Sequence, residues 1–191
     1  MKNFTVALSF LTFSVILFSC TKEVSDFQGT PLKPAQEAVN KPEFSGRDAG
    51  GTCPATVTPL FAGQTINAGS VTVTNDSSFI YVTYLTANGF TLTQTHLYVG
   101  NCALIPVNNP GNPIPGQFPY KSTHSNLTSY TYAVPISAIG INNCGCIAAH
   151  AVVVKLSATG QVIDQQTAWG DGIRVNLNGN WATNFAYCPC L

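Results

Sequence analysis

The chain holds three histidines, and two of them stand inside apolar runs, where an imidazole has few innocent uses. His96 lies in Thr95-His96-Leu97-Tyr98 and His150 in Ala148-Ala149-His150-Ala151. Period-2 alternation puts His96 on a strand face with Phe90, Leu92 and Tyr98. It puts His150 with Val152, Val154 and Leu156, opposite Lys155. Two half-buried imidazoles suit a metal or an acid–base pair. They equally suit the edge of a core, each satisfied by a backbone carbonyl, and that second reading fits the surrounding residue types better. His124, in Ser122-Thr123-His124-Ser125-Asn126, reads as an exposed residue of a polar loop.

Carboxylates are scarce where chemistry would need them. From Cys53 onward the charged residues are Asp76, Lys121, Lys155, Asp164, Asp171 and Arg174, with no glutamate. A glycosidase pair of carboxyl groups is hard to assemble from that set. Asp76, in Asn75-Asp76-Ser77-Ser78, has the setting of a turn residue serving the backbone. No Gly-x-Ser-x-Gly elbow and no His-Glu-x-x-His helix occurs. If the chain is an enzyme, His96, His150 and Asp171 are the residues left to carry it. The same sparse, balanced charge offers nothing to a phosphate backbone, so nucleic acid is excluded as a partner.

Two segments look unlike plain scaffold. Asn109–Tyr120 is a long Pro/Gly loop, and its prolines reduce the entropy cost of presenting Phe118 and Tyr120 to a ligand. It reads equally as a stiffened connection between sheets. The second segment gathers Trp169 and Asp171 in Thr167–Gly172 with Trp181 in Asn180–Thr183. Exposed tryptophans make platforms for sugars or proteins, whereas in a sandwich they more often fill the core. Phe118, Tyr120, Trp169, Asp171 and Trp181 are the candidate ligand-binding residues.

The elements that must position these residues are strands. Ser70–Thr74, Phe79–Leu85, Phe90–Val99, Ser129–Pro135, Ile147–Leu156, Val162–Ala168 and Trp181–Tyr187 are short, alternating or β-branched. Ala87-Asn88-Gly89 predicts a hairpin, and Ser157–Gly160 a second turn. Ile136–Ile139 has room for one helical turn. The expectation is an all-β domain, a single sandwich or, as the alternative, a barrel.

Seven cysteines sharpen the picture. Cys53, Cys102, Cys144, Cys146, Cys188 and Cys190 form an even set, fit for three disulfides outside the cytoplasm. Closing a Cys-x-Cys unit on itself is geometrically awkward, which still leaves several connectivities open. If the Ile147 and Trp181 strands are neighbours, the two Cys-x-Cys units staple the C-terminus to the body.

The seventh, Cys20, belongs to a different device. Met1-Lys2-Asn3 is followed by an apolar stretch from Phe4 to Phe18, too short to span a bilayer and shaped like a secretory signal. Leu17-Phe18-Ser19-Cys20 resembles the lipobox of bacterial lipoproteins, with a bulkier Phe18 than usual. The resemblance implies cleavage after residue 19 and acylation of Cys20. Residues 20–52 carry nine charges, three prolines and no apolar period, and read as a disordered tether averaging on the order of 30 Å. Domain 53–191 follows. The charged run Thr21–Asp26 loosely resembles that of Bacteroidota lipoproteins sent to the cell exterior, which implies outer-membrane attachment, exterior rather than periplasmic.

The segments Thr95–Gly100, Asn112–Tyr120, Ile147–Val152, Thr167–Gly172 and Asn180–Phe185 together resemble secreted and lipoprotein β-modules of Bacteroidota, over most of residues 60–187. That group has no assigned activity. The resemblance implies fold and location and carries over no catalytic residue. The reading is a lipid-anchored surface module that binds a glycan or a surface protein, or is structural, with no cofactor implied. The alternative is an extracytoplasmic enzyme or metal-binding protein.

Overall fold

The computed structural model describes residues 54–139 and 144–190. The expected signal (1–19), Cys20, the tether up to residue 52 and Cys53 lie outside the described residues. The described chain is all-β, with ten strands and three single 3-10 turns. In order, the strands are β1 Thr56–Ala62, β2 Ile66–Asn75, β3 Phe79–Thr86, β4 Phe90–Gly100, β5 Tyr120–Leu127, β6 Ser129–Pro135, β7 Gly145–Leu156, β8 Val162–Gly170, β9 Ile173–Arg174 and β10 Thr183–Tyr187. All ladders among them are antiparallel.

The path β6-β3-β2-β1-β8-β7-β4-β5 is continuous, yet it behaves as two sheets. β1 and β8 share only the pairs Leu60↔Gly170, Phe61↔Trp169 and Ala62↔Ala168. That short seam joins the halves on one side. On the other side the terminal strands β5 and β6 follow one another through Thr128, and no backbone ladder between them closes the ring. Side chains bridge the gap: the Tyr84 hydroxyl donates to the His96 carbonyl at 3.1 Å, and the Tyr132 hydroxyl lies 2.8 Å from Thr95 Oγ1. The fold is therefore a sandwich rolled nearly into a barrel.

Alternation explains the interior. Val71 and Val73 of β2, Ile80, Val82 and Tyr84 of β3, Tyr132 and Val134 of β6, and Leu60 and Ala62 of β1 all point into one buried cluster. From the other sheet come Leu92, Leu97 and Val99 of β4 with Ile147, Ala149, Ala151 and Val153 of β7.

Three expectations are corrected. Asn88 and Gly89 do form a tight turn, with φ of 55° and 79°, as a primed turn requires. The strands it joins do not pair, however: β3 bonds β2 and β6, while β4 bonds β5 and β7. The turn is tied instead to the start of β2, where Ala87 N donates to the Ala68 carbonyl at 2.7 Å and Asn88 Nδ2 to the Asn67 carbonyl at 2.8 Å. Anchored there, it carries the chain from one sheet to the other. The second correction is β5, which the sequence presents as polar loop because an edge strand with one wetted face shows no apolar alternation. The third is the face of His96. The β4 ladders shift register between Leu92 and Gln94 on both sides, so Thr93 is an extra residue, its hydroxyl bonded to the Val152 carbonyl at 3.1 Å. A bulge of one residue reverses the facing of everything after it. Phe90 and Leu92 point inward, but so do Thr95, Leu97 and Val99, and His96 and Tyr98 turn outward. β1 and β9 have no counterpart in the strands read from sequence.

On that outer face a second, smaller core forms from Tyr98, Ile105, Phe118, Cys146, Ala148, Trp169 and Ala182, with Val175 and Trp181 against it. Two excursions cover it, residues 101–119 and 171–182. They are laced together by Asn176 Nδ2 donating to the Pro110 carbonyl at 2.6 Å and Asn180 N to Asn112 Oδ1 at 2.7 Å. Disulfides fasten the first excursion and the segment after β10 to the sheet. Cys102 pairs with Cys146 and Cys144 with Cys188, and Cys190 is disulfide-bonded as well. The C-terminal segment is thus stapled to the start of β7, whose residues Gly145–Ile147 pair with β10. It reaches onward to β2, where Asn75 bonds the Tyr187 hydroxyl at 2.8 Å and the Cys190 backbone.

Cys102–Cys146 and Cys144–Cys188 each close a separation of 44 residues, for which the chain-entropy estimate is about 4 kcal/mol. Replacing Cys144 and Cys188 together by serine should therefore lower unfolding stability by roughly 2–4 kcal/mol. Hydrogen exchange should show the amides of β10 opening before those of β2 and β3. A melting temperature unmoved by the double substitution would contradict this role.

Candidate functional site

One row of side chains crosses the outer face. Residues directly opposite in neighbouring strands share a face, and the registers Lys121↔His96, His96↔His150, His150↔Trp169 and Trp169↔Phe61 run through β5, β4, β7, β8 and β1. The bulge at Thr93 is what brings His96 into this row. The two predicted histidines are neighbours here, with Nδ1 atoms 3.2 Å apart and ring centroids separated by 5.2 Å. His150 also meets the Trp169 ring edge to face at 4.8 Å.

The pair is held uncharged. His150 is 7 % exposed; burial first, and then the neighbouring His96, depress its pKa from 6.5 to about 3. His96 is lowered as well, by partial burial and then by the Lys121 ammonium. Two neutral imidazoles can share one hydrogen bond, one Nδ1 donating to the other, whereas two imidazolium rings would repel. Among the described residues no group of three or more His, Cys, Asp or Glu is placed to hold a metal ion.

Hollows lie toward either end of the row. Gln94, His96, Lys121, Ser122 and Thr123 line an open one of about 420 Å³. The other, about 220 Å³, lies between the β1–β2 turn and the 171–183 excursion, lined by Phe61, Gln64, Trp169, Asp171, Gly172, Arg174, Trp181 and Thr183. Both tryptophans of the chain meet in this groove. Trp169, 5 % exposed, is its floor, while Phe61 and Trp181 are half-buried walls. At the rim the Arg174 side chain has no hydrogen bond or ion pair with any described residue. Asp171 accepts from its neighbour Gly172 N at 2.9 Å through Oδ1, which leaves Oδ2 for a ligand. Thr183 Oγ1 is committed to the Gly170 carbonyl at 2.7 Å.

The candidate residues therefore divide. Trp169, Asp171 and Trp181 converge on the groove; His96 and Asp171 line separate hollows. Phe118 and Tyr120 are corrected. Phe118 is 1 % exposed and plugs the second core, 6.0 Å from the Tyr98 ring and 6.2 Å from Trp169. Tyr120 is half-buried against Tyr132 at 6.2 Å. The prolines of this loop stiffen a cover rather than present a ligand contact. His124 is corrected too: on β5 it points inward, its Nε2 2.8 Å from Thr95 Oγ1 and its ring 4.4 Å from Tyr130. With Tyr132 these groups make a polar seam between the sheets. Sequence reasoning missed Phe61, Gln64 and Arg174, which sit in a strand it overlooked, a tight turn and a two-residue strand.

Compared with known protein families, curated proteins and solved structures, the chain matches none.

The buried histidine has a measurable consequence. An unfolded histidine titrates near 6.5, and folded His150 near 3, so between those values the unfolded chain binds more protons. The stability that neutral His150 contributes is whole above about pH 6.5 and is lost as pH falls toward 3. Thermal or urea unfolding of the native chain should weaken over that window by on the order of a few kcal/mol. His150→Gln should flatten the decline. A native profile that stays level down to pH 4 would contradict a buried neutral His150.

Proposed function

We propose that this protein is a lipid-anchored recognition module of the outer membrane, displayed on the cell exterior through acylated Cys20 and the 21–52 tether. Its ligand enters the Phe61–Trp181 groove. The observation that carries the reading is the convergence of both tryptophans on one hollow whose rim holds the Arg174 guanidinium and a carboxylate oxygen of Asp171, neither bonded to a described residue. Both charged groups are exposed and uncommitted to other side chains, so they can meet polar groups of a ligand seated on the aromatic surface.

The other acids support binding over catalysis. Asp76 spends one oxygen on Ser78 N and Phe79 N, both at 2.7 Å, and the other on the Tyr81 hydroxyl at 2.8 Å. Those bonds hold its carboxyl below the usual range. Asp164 accepts from Gln166 Nε2 at 2.8 Å. Asp171 alone is left, with no second carboxylate beside it in the groove, and the histidines face each other.

Two measurements test the two halves. Protease added to intact cells should cut within residues 21–52 and release the domain, and Cys20→Ser should abolish membrane retention; protection in intact cells, lost on lysis, would overturn surface display. For the groove, the tryptophan emission of the full chain should shift on titration with soluble polysaccharides or with peptides from the cell envelope, and Arg174→Ala should remove the shift without changing the melting temperature. Silence toward both would overturn the binding reading.

A further inference from the structure

The groove's chemistry narrows its ligand, given the reading of it as a binding site. At about 220 Å³ it falls below the roughly 300–1,000 Å³ typical of drug-sized ligands, so it has space for a single ring. Its walls are the half-buried rings of Phe61 and Trp181, suited to a flat C–H face.

The rim is the discriminating part. It carries both signs of charge, and the two do not neutralise each other, since Arg174 has no ion pair with a described residue. An anion would meet the Asp171 carboxylate, a cation the Arg174 guanidinium, and an apolar ligand would leave both desolvated and unpaired. A hydroxyl both donates and accepts. Adjacent hydroxyls on one ring can therefore donate to Asp171 and accept from Arg174 in charge-assisted bonds. Between them the ring presents its C–H face to the aromatic walls.

One more polar side chain lies beside the groove. Gln64, on the groove's lining, holds φ of 79° after Gly63 at 52°. Two successive positive φ values are the geometry of the tight turn that joins the paired strands β1 and β2. The conformation sets a further neutral amide, donor and acceptor together, at the rim.

We propose that the groove binds one uncharged pyranose unit of a saccharide, stacked on Phe61 and Trp181, with vicinal hydroxyls bridging Asp171 and Arg174. The test uses the full chain, with the emission of its two tryptophans as the readout. The probes are glucose, galactose and mannose with their neutral oligomers, glucuronate and galacturonate oligomers, and free amino acids and short peptides. The expected result is saturable binding of at least one neutral sugar, with Kd on the order of 1 mM for the monosaccharide. Arg174→Gln and Asp171→Asn should each weaken it about tenfold or more with the melting temperature unchanged. Trp181→Phe should retain part of the affinity and Trp181→Ala should lose it.

A response confined to amino acids or peptides would overturn the saccharide assignment and leave the groove a binding site. Binding of uronate oligomers alone, strengthened in Asp171→Asn, would overturn the neutral diol. Silence toward every probe would overturn the assignment together with the reading beneath it.

Discussion

One extra residue in β4 governs the outer half of this molecule. Thr93 has no partner in either neighbouring ladder, and because strand side chains alternate strictly, its insertion exchanges the two faces for the rest of the strand. Leu97 and Val99 then continue the inner core that Leu92 begins, while His96 and Tyr98 are delivered to the outside. An outward Tyr98 is what Phe118 packs on, and Phe118 in turn meets Trp169. Without the bulge Leu97 and Val99 would face outward and His96 and Tyr98 inward, and neither core would have its present residues.

The covering needs covalent help. The excursions 101–119 and 171–182 have little regular structure and are laced to each other through the side chains of Asn176 and Asn112. Cys102–Cys146 ties the first to β7, and Cys144–Cys188 fastens the chain just past β10, the strand that follows the second, beside the start of β7. β7 is consequently buried on both faces over Gly145–Ala151, although its sheet is antiparallel and such sheets commonly leave one face wet. Trp169 is sunk by this cover and Trp181 is left at its margin, so the groove is the place where the cover stops.

Much of this was legible in the residues. The inner strands β2, β3, β4, β6, β7 and β8 follow from alternation, and the awkwardness of a Cys-x-Cys ring correctly left Cys144 and Cys146 to find distant partners. What alternation does not carry is register. The bulge at Thr93 is invisible to a period-2 count, which is why His96 reads as a companion of Phe90 and Leu92. A primed turn at Asn88-Gly89 fixes backbone dihedrals but not whether the flanking strands pair, since its anchors on Asn67 and Ala68 are long-range. Phe118 and Tyr120 share the sequence features of displayed aromatics, and only the second core decides that Phe118 is covered. Arg174 and Gln64 became site residues through their place in the fold, with no local signature.

The central claim is that a covered outer core divides the two tryptophans, one sealed and one at a ligand-accessible margin. Collisional quenching by acrylamide, measured on Trp169→Phe and Trp181→Phe forms of the full chain, tests it directly. Trp169, seen alone in the Trp181→Phe form, should be nearly immune to quenching. Trp181, seen alone in the other, should be quenched several-fold more strongly. Equal quenching of the two, or stronger quenching of Trp169, would contradict the account.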